Sequence, residues 1–223
     1  MGQIVRIKSI EKVTHDVLRI KLEKPEGFSY VPGQAADIAV NKSEWKETLS
    51  CFTFTSLPED DFLEFTIKTY PSRNRVTGEL LKAKAGDQLI LHEPFGAIHY
   101  KGNGIFIAGG AGVTPFIAIL KQLEKEGKIA DNKLIFANKT TADIIDEKRF
   151  AKLLGKNFIN ILSDEENEKY AHGFVDAEFI KKYANTQAEY YYICGPDPML
   201  DAVQKQLHSL GVKDEFIVME DFG

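Results

Sequence analysis

Cysteine is scarce in this chain, with only Cys51 and Cys194 among 223 residues. Two thiols cannot supply the four ligands of a ferredoxin-type iron–sulfur cluster, so the chain carries none by itself. A disulfide framework is not needed at this length either. A basic excess is also lacking: 28 Lys and Arg against 33 Asp and Glu leave a formal net charge of −5. That balance argues against nucleic acid, whose binders carry a basic patch or stripe. No apolar run approaches the roughly 18 residues needed to cross a bilayer. The first residues enter an alternating strand pattern with no signal-type apolar region. Membrane insertion is therefore not expected, and a cytoplasmic location is. The histidines at 15, 92, 99, 172 and 208 are scattered, with no i, i+4 pair, and no metal is assigned to them. No internal repeat or low-complexity tract is present.

What is present falls into two halves with different rhythms. In the first half, Leu18, Ile20 and Leu22 alternate with Arg19 and Lys21, and Leu63, Phe65 and Ile67 alternate with Glu64, Thr66 and Lys68. Pro/Gly turns at 25–27, 31–33, 57–61, 85–87 and 94–96 separate these runs. Short strands at such spacing predict an antiparallel β-barrel or sandwich, with one helical interruption at 78–83. The second half alternates short apolar runs (105–108, 133–137, 158–162, 190–194, 216–219) with helical patterns (115–126, 146–154, 176–183, 197–210). That rhythm predicts an α/β doubly wound parallel sheet with ligands at the C-terminal strand ends. The expected division is residues 1–100 and 101–223, with Lys101-Gly102-Asn103-Gly104 as the hinge.

The most telling stretch is Gly109-Gly110-Ala111-Gly112-Val113-Thr114-Pro115, between a buried strand and a helix. Such a junction aims backbone N–H groups and the positive end of a helix dipole at a phosphate. Gly109, Gly110 and Gly112 permit a tight turn and close ligand approach. Thr114 reads as an N-cap and Pro115 as the first helical residue. The stretch is a candidate dinucleotide cradle, although glycine spacing by itself also fits a plain turn. Cys194-Gly195-Pro196-Asp197-Pro198-Met199 repeats the plan, and parallel topology sets its tip at the same sheet edge. Cys194 then lies in the crevice, with a small buried hydrophobe as the alternative role.

Together these two motifs resemble the ferredoxin–NADP reductase superfamily, in which a flavin-binding barrel precedes a nicotinamide-binding domain. Tyr30-Val31-Pro32-Gly33-Gln34, Glu93-Pro94-Phe95-Gly96 and Ile161-Leu162-Ser163-Asp164-Glu165 extend the resemblance over essentially the whole chain, nearest to bacterial flavodoxin/ferredoxin reductase-like proteins. It implies an NAD(P)H-dependent flavoprotein reductase with FAD and an external electron acceptor such as a ferredoxin or flavodoxin. The family motif Arg-x-Tyr-(Ser/Thr) falls on Ser50-Cys51-Phe52-Thr53. Phe52 is implied to pack by the flavin ring, and Thr53 to hydrogen-bond near its reactive nitrogen. Ser50 replaces the arginine that grips the flavin phosphates, which puts that grip in doubt. The next phosphate turn falls on 74–77, so Arg75, with Arg73 nearby, is expected to take over the charge, helped by Val76 and Thr77. Phe222 is implied to cover the other flavin face and Glu220 to line the hydride-transfer site.

Within this resemblance Thr53, Cys194 and Glu220 are the candidate catalytic residues. Gly109, Gly110, Gly112, Thr114, Pro115, Cys194, Gly195, Pro196 and Met199 are the nicotinamide-nucleotide candidates. The acidic run at 163–168 disfavours a 2′-phosphate, while Lys139 and Lys169 are cations that attract one. The expectation leans to NADH. Two other readings stay open: an NAD(P)H:flavin reductase that uses free flavin, and a non-catalytic nucleotide-binding subunit.

Overall fold

The computed structural model describes residues 2–71, 75–96, 98–183 and 190–219. Glu220, Phe222 and Arg73, named above, lie outside them. Strands β1 (Gln3–Lys12), β2 (Val17–Glu23), β3 (Ala35–Val40), β4 (Ser50–Thr53), β5 (Phe62–Lys68) and β6 (Gln88–Phe95) form a sheet in the order β4-β3-β6-β1-β2-β5. Every pairing is antiparallel. A bridge between Phe54 and Phe65 brings the chain just past β4 onto β5. The two edges thereby meet and the sheet closes into a barrel, which removes unpaired edge groups.

Alternation explains what fills it. Leu18, Ile20 and Leu22 pair with Ile67, Phe65 and Leu63, so the apolar sets of β2 and β5 share the inner face. Tyr30 stacks on Phe54 with ring centroids 4.1 Å apart, and Phe54 meets Phe65 at 4.8 Å. The Tyr30 hydroxyl is buried too, and it is satisfied by Ser56 Oγ at 2.7 Å. Helix α1 (Val76–Glu79) and a 3-10 turn, Leu80–Lys82, plug the barrel with Val76 and Leu80. The helical interruption begins two residues before the expected 78, because Arg75 is extended and Val76 opens the helix.

The second sheet holds β7 (Gly104–Gly109), β8 (Lys133–Asn138), β9 (Phe158–Leu162), β10 (Ala171–His172), β11 (Tyr190–Cys194) and β12 (Ile217–Val218). Its order is β10-β9-β8-β7-β11-β12, and every pairing is parallel. Helices α2 (Thr114–Lys125) and α3 (Glu147–Leu154) cover one face through Phe116, Leu120 and Phe150. The other face packs on α4 (Ala177–Tyr183) and α5 (Asp197–Ser209) through Ile180, Val203 and Leu207. Successive β7 residues alternate between the two: Phe106 and Ala108 face α2, Ile105 and Ile107 face α5. Strand β7 therefore needs the continuous apolar run that the sequence displays. The chain leaves it first toward β8 and later returns to its other side as β11, so the order reverses there. This switch point opens a crevice at the strands' C-terminal ends.

The expected strand at 216–219 is shorter than predicted, since Asp214–Phe216 forms a 3-10 turn before β12. Strand β10 was not foreseen; two residues are too few to display a period.

Tyr192 on β11 locks the chain between the sheets. Its hydroxyl accepts the Lys101 and Gly102 N–H groups at 2.9 and 3.0 Å and donates to the Gly102 carbonyl at 2.7 Å. Burial pushes this hydroxyl up to about 12, so it remains a donor throughout the neutral range. Tyr192→Phe strands those backbone groups and is expected to lower unfolding free energy by about 1–3 kcal/mol. Urea denaturation checks this; an unchanged midpoint would refute it.

Candidate functional site

The two loops singled out in the sequence lie side by side at the switch point. Ala108 pairs with Cys194 across the β7–β11 ladder, so the turns that follow emerge together. Their glycines divide the work. A Cβ on Gly112 would sit 2.2 Å from the Cys194 carbonyl oxygen and 2.6 Å from the Gly195 Cα. One on Gly109 would sit 2.3 Å from Met199 Sδ and 3.1 Å from Pro196 Cδ. Gly112 is thus needed for one loop to touch the other, since backbone lies against it, whereas the nearest neighbour of Gly109 is the Met199 side chain. Only Gly110 combines a left-handed φ of +52° with nothing within 4 Å of a would-be Cβ. It is the open part of the cradle.

A correction concerns the helix start. Gly110–Val113 forms a 3-10 turn, and Thr114 already has helical angles, φ −59° and ψ −43°. Val113 is the N-cap position and no side chain caps it. Thr114 is buried inside the first turn, and Pro115 stands beside it where its missing N–H costs nothing. Cys194 is half-buried at the end of β11 and packs against the core on the α2 side of the sheet.

One residue of this edge was missed by sequence reasoning. Asn138 ends β8, next to Ala137, which pairs with Gly109. The residue is 7% exposed, yet neither side-chain amide atom has a hydrogen-bond partner among the described residues. A buried polar group left unpaired costs about 1–3 kcal/mol, so a water or ligand contact there would be favourable. Beside the open Gly110 turn, that orphaned amide fits a polar ligand such as a dinucleotide in the crevice. A lone asparagine at a strand end carries no sequence signal.

Past Asn138 the crevice rim is acidic and held in shape. The Thr141 N–H and hydroxyl each donate to Glu165 at 2.7 Å, and Asn167 adds a third bond at 2.8 Å. These donors hold the Glu165 carboxyl below its ordinary range, the Thr141 hydroxyl foremost. The neighbouring loop is tied on by Ser163 N–H to the Asn138 carbonyl and Asp164 N–H to the Lys139 carbonyl. Lys169 is committed to Glu147 at 2.5 Å, whereas Lys139 is exposed.

The barrel side is arranged less completely. Thr53 pairs across the sheet with Ala35, which pairs in turn with Phe95, so a hydroxyl, a small residue and an outward aromatic form a row. Phe52 faces the opposite way. It is half-buried and leans on the barrel core, which leaves part of its ring outward. Ser50 is half-buried, Arg75 exposed and Thr77 half-buried. Val76 is fully buried in the core, so only its backbone is available there. Among the described residues, His15, Asp16 and Asp143 also converge, with ligand atoms within 4.8 Å. Lys68 at 2.9 Å from Asp16 and the Thr140 hydroxyl at 2.7 Å from Asp143 already occupy those carboxylates.

A family model described as an FAD-binding domain matches residues 3–102, and one described as an oxidoreductase NAD-binding domain matches residues 106–205. NADH-cytochrome b5 reductase 1 of Aspergillus terreus is 30% identical over 92% of this chain and 76% of its own length. The reductase component of propane 2-monooxygenase from Rhodococcus jostii is 26% identical over 97% of this chain. The chain spans only 62% of that reductase component. The flavohem-like FAD/NAD binding domain of nitric oxide dioxygenase from Vibrio cholerae has the same fold, with a TM-score of 0.87 over 100% of this chain and 99% of that one, at 21% identity. Fold and crevice together define a flavin- and nicotinamide-binding oxidoreductase. The chain belongs to the ferredoxin–NADP reductase superfamily, and its cofactors are FAD and NAD(P)H. No helix among the described residues is long and apolar enough to cross a membrane.

The loop contact is testable. Gly112→Ala has no room and is expected to force the two loops apart, weakening NADH binding about tenfold or more as the cradle opens. Gly110→Ala has space and bears only backbone strain, about 1 kcal/mol. Thermal melting and NADH titration of both variants check this. Equal effects would show that the Cβ contacts do not set the cradle.

Proposed function

We propose that this chain takes hydride from NAD(P)H onto FAD and passes electrons on to an external acceptor, such as a ferredoxin or flavodoxin. The observation that carries the reading is the pair of abutting glycine loops at the switch point, with the orphaned Asn138 amide between them and the rim. When bound, FAD accepts the hydride and can release electrons one at a time, which a side chain cannot do. The protein's part is to hold and orient. Gly110, at the open start of the 3-10 turn, offers its backbone N–H to the pyrophosphate, with Gly109, Gly112, Thr114 and Pro115 shaping the turn. Cys194, Gly195, Pro196 and Met199 close the far side and draw the nicotinamide toward Thr53. The Thr53 hydroxyl can donate or accept, so it suits a ring nitrogen whose protonation changes. Phe52 offers a flat apolar face, and Phe222 and Glu220 would complete the pocket. Residues 1–100 serve the flavin and 101–223 the nicotinamide nucleotide. NAD(P)H as donor suits a cytoplasmic site of action.

NADH is the preferred donor in this reading. Glu165 is fixed at the rim by three hydrogen bonds and Lys169 is occupied by Glu147. A 2′-phosphate would therefore meet a fixed negative charge, with Lys139 as the nearby cation. Anaerobic titration with NADH is expected to bleach the flavin absorbance, and kcat/KM should favour NADH over NADPH by about tenfold or more. Equal efficiency would remove the preference, and no bleaching would remove the reading.

A second reading, an NAD(P)H:flavin reductase using free flavin, is favoured by one feature. Ser50 stands where the family motif has arginine, so the flavin lacks a bidentate guanidinium there. In the bound-flavin reading, Arg75 and Arg73 supply that charge. Replacing both with alanine is expected to yield colourless protein on purification, against a yellow parent. Unchanged FAD content would sink that role, and a parent protein already colourless would favour the free-flavin reading.

A further inference from the structure

The cradle helix is tied to the barrel by a partly buried lysine that reaches a buried carboxylate. Lys121 lies two turns along α2 from Thr114. Its ammonium donates to the Thr55 carbonyl at 2.6 Å and to Glu64 Oε1 at 3.0 Å. Glu64, on β5, is almost fully buried. The same Oε1 also accepts the Thr55 hydroxyl at 3.1 Å. A lone carboxylate would be strongly disfavoured there, so Glu64 requires a cation beside it. Thr55 is two residues beyond Thr53 on the segment that closes the barrel. One side chain thus connects the helix that begins at the nicotinamide cradle to the strand that carries the flavin-facing hydroxyl.

A second tie stands beside it. Arg19, on β2, forks onto both carboxylate oxygens of Asp146 at 2.6 and 2.7 Å. Asp146 holds a left-handed φ of +54° just before α3, a conformation uncommon for aspartate. Arg19 Nε lies 3.9 Å from Glu64 Oε1, so both ties converge on one buried carboxylate. Apolar contact adds to them: Val17 of β2 joins the core cluster formed by Phe116, Ile119 and Leu120 of α2.

We propose that Lys121 is a positioning residue for hydride transfer: its Thr55–Glu64 strut sets the distance between the nicotinamide cradle and the flavin strand. The inference rests on the functional reading above and deepens it. Hydride transfer demands near-attack contact, and a misplacement of about 1 Å costs on the order of 100-fold in rate. A strut of two short hydrogen bonds between packed elements can hold that tolerance. The phosphate contacts lie two turns away and do not use Lys121, so loss of the strut should spare NADH affinity.

The test uses Lys121→Met combined with Glu64→Gln, which leaves no unpaired buried charge, and Lys121→Arg alone. In the full-length chain without flavin, amide exchange over residues 53–55 and 114–121 is expected to speed up in the double variant. In the flavin-loaded chain, stopped-flow reduction by NADH should slow about 100-fold with unchanged NADH affinity and FAD content. Lys121→Arg should recover most of the rate, because arginine retains the charge and the donors. A double variant with wild-type exchange and rate overturns the strut, as does one in which NADH affinity falls while the saturated rate holds. A wild-type protein that NADH cannot reduce would instead overturn the functional reading, and this role with it.

Discussion

The crevice depends first on a missing methyl group at Gly112, where two loop backbones touch. Strands β7 and β11 are hydrogen-bonded neighbours, so the turns that leave them must share one small volume. Gly112 lies against the Cys194 and Gly195 backbone, closer than any Cβ allows, and Gly109 lies against the Met199 side chain and Pro196. Their contact fixes where β7 ends and the 3-10 turn into α2 begins, which leaves Gly110 facing open space. A phosphate site made of backbone N–H groups has no side chain to adjust, so its geometry is only as good as the packing behind it. Here the packing behind it is the second loop.

The two halves meet through charge as well as apolar surface. Lys121, Arg19, Glu64 and Asp146 form a partly buried polar seam, while Val17 and Ile98 enter the core of the parallel-sheet half. For Arg19, burial works against the charge, but Asp146 outweighs it and the guanidinium is held above its ordinary value. Buried ion pairs are poor sources of net stability, since desolvation offsets most of the attraction. They are good sources of geometry, because a displaced partner leaves a bare charge. That property suits a seam across which two ligands must meet face to face.

The flavin side departs more from the family pattern than the nicotinamide side does. Ser50 removes a cation, and Val76 contributes its side chain to the barrel core. The row of Thr53, Ala35 and Phe95 keeps a flat shelf on the barrel with a hydroxyl at one end. Loss of one phosphate contact changes how tightly a flavin is held without altering where its ring would lie. A bound and an exchangeable flavin are thus two affinities for one architecture.

Much of this was legible from residue order because it is local. Alternation along 18–22 and 63–67 marked barrel strands, and continuous apolar runs marked buried parallel ones. The glycine loops after 108 and 194 announced a crevice because only a few residues make tight turns, and strand–turn–helix order sets which sheet edge they share. What stayed hidden was either too short or too long in range. Strand β10 has two residues, Thr114 differs from an N-cap by one backbone conformation, and the roles of Gly109, Gly110 and Gly112 differ only in what each one faces. Lys121 reaches Glu64 across 57 positions and Arg19 reaches Asp146 across 127. Nothing in the neighbourhood of any of the four residues points to its partner. The chain's local order was enough to determine two folds and their family, since secondary structure and turns are short-range. Distances between the halves, and the orphaned amide of Asn138, were decided only by tertiary packing, which brings together groups that share no sequence context.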